Sequence, residues 1–222
     1  MTATTSDNRF ADVSITLKNG RAKLIDALVA DKAPRFLEDL ARLIDDYFRH
    51  SYERSVVGPK MGIAKNPYAV VALGGYGRAE QCVYSDVDLL FLFEKRVPRE
   101  AEELVREIIY PLWDMGLDVG HATRSIKECL AMARQDFEVL TSILDARFIC
   151  GMSPLFMKLM DQIRTKFINL KPQKIITWLV ETNRERHRHF GDSSYLLEPN
   201  FKEGQGGLRD YARRFEVDRS GA

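Results

Sequence analysis

The stretch GGYGRAEQCVYSDVDLLFLF, residues 74–93, sets a glycine pair ahead of two aspartates, Asp86 and Asp88, that interrupt the start of an apolar run. Residues i and i+2 of a strand point to the same face, so the two carboxylates would project together where the strand meets solvent. Like charges held that close raise one pKa or demand a cation. Magnesium takes oxygen ligands and is usually held by one or two carboxylates plus substrate phosphates. Asp118 alternates with Leu117 and Val119 and would face the same way if its strand neighbours that of the pair. Two ions bridged by three such acids would hold a nucleoside triphosphate and activate an attacking oxygen.

The glycines fit the same chemistry. Gly74 and Gly75 follow a strand-like run. Glycine permits positive φ and close backbone approach, and backbone N–H groups there would cradle phosphate. Arg78 would meet a phosphate oxygen, and Ser85 would donate to the same anion. The expected site is therefore Asp86, Asp88 and Asp118 as catalytic and metal-binding residues, with Gly74, Gly75, Arg78 and Ser85 binding nucleotide. An Asp-x-Asp pair alone is also what turns, caps and solvated edges carry, and a lone Gly-Gly says little. The specific feature is the composite: strand, Gly-Gly, short helix, Asp-x-Asp entering an apolar strand, then a third acid on another strand.

The elements that must position these residues follow from periodicity. Residues 1–12 are polar. Apolar residues recur at helical spacing from Leu17 to about Tyr52, broken near Pro34. Residues 56–68 read as a loop, 68–74 as a buried strand, 78–82 as a short helix and 86–93 as a second strand. A helix runs from near Pro98 to Gly116, and a third strand covers 117–124. Beyond Ser125 the pattern is helical throughout, with residues 136–150 as one helix, until a loop begins at Gly191. The division is a helical segment over 1–60, a β-α-β-α-β core over 61–125, and a helical region over 126–222 that ends in a glycine-rich loop.

Composition sets the class. The 222 residues are 45% hydrophobic and 29% charged, with a net charge of +1, so bulk charge gives no argument for nucleic-acid or membrane binding. Cys82, Cys129 and Cys150 are odd in number and widely spaced, which argues against a zinc site or disulfide framework and for a reducing, cytoplasmic setting. No secretory signal opens the chain, and no apolar run approaches the roughly 18 residues of a membrane span. His187 and His189, in RERHRHF, do not face one another on a helix and read as part of a solvated basic helix end. The cysteines and the Met152, Met157 and Met160 cluster read as core packing.

The composite resembles the nucleotidyltransferase superfamily related to DNA polymerase beta and, within it, the bacterial PII uridylyltransferase/uridylyl-removing enzymes. The resemblance is carried by Gly74-Gly75-Tyr76-Gly77-Arg78-Ala79-Glu80, by Ser85-Asp86-Val87-Asp88-Leu89-Leu90, and by the stretch from Leu112 to His121. A separate motif, EPNFKEGQGGLRD at 198–210, narrows it to the PII-modifying family. The resemblance implies an α+β fold: a small mixed-sheet nucleotidyltransferase core flanked by an N-terminal helical segment and a C-terminal helical bundle. It implies UMP transfer from UTP to a tyrosine of the PII signalling protein, with two Mg²⁺ on Asp86, Asp88 and Asp118. It departs from the family at Ala79, usually Gly; at Gln81, usually Leu; at Gln205, usually Pro; and at Asp118, more often Glu. The family's HD phosphohydrolase and ACT domains have no counterpart before Ala222, so uridylyl removal and glutamine sensing are expected to be absent from this chain. Two other functions stay open: a catalytically idle nucleotide-binding regulatory module, and a nucleotidyltransferase acting on a small molecule or RNA.

Overall fold

The computed structural model describes residues 10–62, 65–169, 172–190, 206–207 and 209–211. In chain order its elements are α1 (Ala11–Val29), α2 (Phe36–Arg54), the one-turn α3 (Val57–Lys60), β1 (Tyr68–Ala72), the one-turn α4 (Gly74–Gly77), β2 (Val87–Phe93), α5 (Ala101–Asp114) and β3 (Val119–Ser125). Then come α6 (Ile126–Gln135), α7 (Phe137–Leu144), β4 (Arg147–Gly151), α8 (Ser153–Ile163), a π-helical stretch (Arg164–Ile168) and α9 (Pro172–Phe190).

The sheet is mixed, in the order β3-β2-β1-β4. β1 runs antiparallel to β2 and to β4, while β2 and β3 are parallel, joined by α5. Every residue of β1 is buried, as is every residue of β2 except Asp88. Strands covered on both faces read as unbroken apolar runs, which is why YAVVA and LLFLF lack alternation.

Four expectations need correction. Cys82, Met152 and Met157, read as core packing, are exposed. The short helix after β1 is formed by Gly74–Gly77 itself, and residues 78–82 are turn and loop. A one-turn helix within residues 56–68 comes from Glu107, whose carboxylate accepts from Ser55 Oγ (2.6 Å) and the Val56 amide (3.1 Å). The region beyond Ser125 is not all helical. Residues Arg147–Gly151 leave the helical pattern at Asp145 and add β4 to the sheet. A short apolar run of this kind cannot be assigned by periodicity alone, because strand and buried helix give the same pattern over five residues.

The described residues fall into two compact units, one of residues up to Cys129 with Asp145–Lys158, the other of Leu130–Leu144 with the residues from Leu159 onward. The first unit holds the sheet. Its core joins Leu40, Ile44 and Phe48 of α2 to Leu89, Phe91 and Phe93 of β2 and to Ile108, Ile109 and Leu112 of α5. In the second unit Leu140, Ile143, Leu159, Ile163, Ile175 and Leu179 are buried, and Phe137 stacks on Trp178 at 5.2 Å.

The basic end of α9, in the second unit, differs from the solvated face expected of it. Arg186 is buried and paired with Asp210. His187 Nε2 lies 3.0 Å from the same carboxylate, which also accepts from the Gly206 amide at 2.7 Å. Burial works against the charged Asp210 carboxyl, but these donors and the Arg186 charge outweigh it and hold it below the usual carboxylate range. Of the loop expected from Gly191, residues 191–205 and 208 lie outside the described residues, as does the tail after Tyr211, while residues 209–211 are helical.

Candidate active site

The site is built on the ends of β1, β2 and β3. The Leu73 amide donates to the Asp88 carbonyl (2.9 Å), so Asp88 stands directly beside the turn into α4. Asp88 also pairs with Gly120 across the parallel ladder. Its carboxylate lies between two glycines: a Cβ on Gly120 would come within 2.7 Å of Oδ1, and one on Gly74 within 3.6 Å of Oδ2. Gly74 has φ +53°, a left-handed conformation that other residues adopt at a cost. Glycine at both positions leaves the acid room at the mouth of the turn.

Asp86 and Asp118 lie one pair beyond the ladder. Val87 pairs with Val119, and the Val87 amide donates to the Asp118 carbonyl at 2.8 Å, so the register sets Asp86 against Asp118. Alternation then gives Asp86, Asp88, Asp118 and Gly120 the same face of the sheet. All three aspartates are exposed. Among the described residues no three His, Cys, Asp or Glu side chains converge closely enough to hold a metal ion. The backbone brings the three acids to one strand end; their side chains do not close into a three-acid group.

The loop 78–86 is held from several sides. Buried Gln81 donates from Nε2 to the Ser85 carbonyl (2.8 Å), and the Cys82 amide donates to Ser85 Oγ (3.3 Å). Arg21 of α1 reaches the Val83 carbonyl at 2.9 Å. Arg78, expected at a phosphate, pairs instead with Glu80 (2.7 Å) and Asp145, and its side chain is only 14% exposed. Its guanidinium therefore ties the turn to the segment before β4. Gly75 sits inside the same turn, its carbonyl accepting from the Glu80 amide at 2.9 Å.

Sequence reasoning missed the cluster behind the turn. Asp45 of α2 is buried and accepts from the Tyr76 hydroxyl at 2.6 Å. Arg147 of β4 pairs with the same carboxylate, its Nη2 at 3.1 Å from Oδ1. Burial pushes the Tyr76 phenol well above its ordinary range, and the Asp45 charge adds to the effect. One signal for this cluster was present. Asp45 falls on the apolar stripe of α2 with Ala41, Ile44 and Phe48. A carboxylate on a buried stripe requires a partner.

Comparison with known proteins sharpens the reading. A nucleotidyltransferase family model, DUF294, matches residues 19–122, and the model for GlnD PII-uridylyltransferase matches residues 174–217. Two bifunctional uridylyltransferase/uridylyl-removing enzymes align along nearly the whole chain. That of Rhodospirillum rubrum is 37% identical over 95% of this chain, and that of Nitrobacter hamburgensis 39% identical over 93%. The chain is similar to one part of the bifunctional uridylyltransferases. It spans about a quarter of the length of these relatives, 24% and 23% respectively. The aligned part of this uridylyltransferase relative contains both the acid-bearing strand ends and the α9 segment.

Proposed function

We propose that this chain transfers UMP from UTP to a tyrosyl hydroxyl of the PII protein, with release of pyrophosphate. The observation that carries the reading is the setting of Asp88, whose carboxylate stands between Gly74 and Gly120 while the register aligns Asp86 with Asp118 at the same strand ends. The uridylyltransferase names of the relatives and the PII-uridylyltransferase model support the substrate and acceptor.

The donor chemistry suits a divalent cation, on which the three acid side chains would have to close. The donors are carboxylate oxygens, the set magnesium prefers, and they are exposed at a strand end beside glycines that admit a ligand. Asp86, Asp88 and Asp118 would hold it. When bound, Mg²⁺ would neutralise triphosphate charge and favour departure of pyrophosphate. The chain's own part is positioning. The backbone of Gly74 and Gly75 and the Ser85 hydroxyl would bind the triphosphate. Asp118, on the neighbouring strand, would accept the proton of the attacking tyrosine. Phosphoryl transfer of this kind draws its rate from alignment and charge stabilisation.

The test is to incubate the purified chain with Mg²⁺, labelled UTP or ATP, and PII protein from the same organism, with Asp86→Ala/Asp88→Ala as control. Label on PII from UTP that vanishes in the folded double mutant is expected. Triphosphate binding without label on PII would identify an idle nucleotide-binding module, and label on a small molecule or RNA instead would move the acceptor.

A further inference from the structure

α4 is a helix of one turn, Gly74–Gly77. One turn is too short to sustain itself, and its last carbonyls have no acceptor role inside the helix. The Tyr76 carbonyl accepts from the Ala79 amide (3.1 Å), and both it and the Gly77 carbonyl are met from a distant strand. Arg147 donates from Nε to the Gly77 carbonyl (3.2 Å) and from Nη2 to the Tyr76 carbonyl (3.1 Å). The same guanidinium pairs with buried Asp45 of α2 and lies 5.3 Å from the centroid of the Tyr76 ring, whose hydroxyl returns to Asp45. The fork of a single arginine thus joins α2, β4 and the glycine turn. The planar, five-donor geometry suits that task, and an ammonium does not reproduce it. Immediately before β4, Asp145 takes Arg78 from the other end of the turn. Gly77 is packed so closely against the Asp145 carbonyl that a Cβ would overlap it.

From this geometry we infer that Arg147 is a positioning residue for nucleotide binding. It fixes the glycine turn in register with Asp88 by holding Asp45 and the Tyr76 and Gly77 carbonyls together, and it does not itself touch substrate. The inference rests on the nucleotidyl-transfer reading, in which this turn receives the triphosphate. Both arginines of the turn are then devoted to its shape, and the charge of the triphosphate is left to the backbone and the cation held by the acids.

The experiment measures UTP binding with Mg²⁺ by titration calorimetry, UTP turnover, and thermal unfolding, for the wild-type chain, R147K, R147M and D45N/R147M. R147M leaves the buried Asp45 carboxylate with only the longer ion pair to Arg49, at 3.4 Å. The double variant removes both charges and keeps a partner for the Tyr76 hydroxyl, so it carries the test if R147M does not fold. D45N/R147M is expected to unfold near the wild-type temperature yet bind UTP on the order of 100-fold more weakly, the scale of loss for a misplaced binding element. The loss should fall on KM for UTP more than on kcat at saturation, with R147K intermediate. A D45N/R147M chain that regains both stability and wild-type UTP affinity would overturn the inference alone, because Arg147 would then matter only to folding. A wild-type chain that binds neither UTP nor ATP would overturn the nucleotidyl-transfer reading, and this inference with it.

Discussion

At the scale of single residues, backbone conformation and close approach decide what each glycine does. Ala79 sits at φ +60°, in the left-handed region, at a position where the family it resembles usually has glycine. A non-glycine residue there costs about 1–2 kcal/mol, of which the greater freedom of glycine in the unfolded chain returns part. Ala79→Gly should therefore stabilise the chain by about 0.5–1 kcal/mol, read as a higher midpoint in urea unfolding. Gly120 and Gly77 separate catalysis from packing. A methyl at Gly120 meets only the end of the Asp88 side chain, which must swing away. In the proposed transfer, Gly120→Ala is expected to lower UTP turnover at least about tenfold while stability changes by less than about 1 kcal/mol. A methyl at Gly77 meets the Asp145 backbone, which cannot yield. Gly77→Ala should cost about 1–3 kcal/mol, the range for overpacking, visible in thermal unfolding.

At the scale of elements, local sequence accounts for more. Ser125-Ile-Lys-Glu128 opens α6 with a capping box: the Ser125 amide donates to Glu128 Oε2 at 2.7 Å, and the Glu128 amide returns to Ser125 Oγ at 3.3 Å. The hydrogen bonds from the Ser125 amide and hydroxyl hold the Glu128 carboxyl below its ordinary value of 4.5. A carboxyl whose folded pKa is depressed contributes stability above its unfolded pKa and loses it as pH falls through the folded one. Glu128→Gln should thus cost about 1 kcal/mol at neutral pH. The gap to wild type should close as unfolding is measured at pH values below 4.5. The N-terminal serine of this helix was legible in sequence. β4 was not: RFICG offers five residues with no period to judge, and its partner β1 lies more than seventy residues earlier.

At the scale of the whole molecule, burial sorts the three thiols. Cys82 is exposed, while Cys129 and Cys150 are buried. Burial is the main cause that pushes the Cys129 thiol up to about 11 and that of Cys150 up to about 12. The thiolate is the reactive form, so iodoacetamide at neutral pH should label Cys82 alone in the native chain and all three cysteines in urea, counted by mass spectrometry. Label on Cys150 under native conditions would contradict the packing of β4 on the sheet.

Among the described residues no helix is long and apolar enough to cross a membrane, as the absence of a long apolar run required. The sequence by itself determined which residues stand at the strand ends. Asp86 and Asp88 share a face because the strand period is two, and the glycine turn follows an apolar strand; both are local properties of the chain. The three strands over the middle of the chain followed from the same local periods, and their mixed sheet from the family resemblance. Only the tertiary structure decided that Asp88 lies between Gly74 and Gly120, that Arg78 turns to Asp145, and that Arg147 grips the turn from β4. Each of those contacts joins residues brought together by strand register and by the pairing of buried charges. A charge shows in the sequence, but its partner is chosen by which elements pack together and by the cost of leaving a buried carboxylate unmatched.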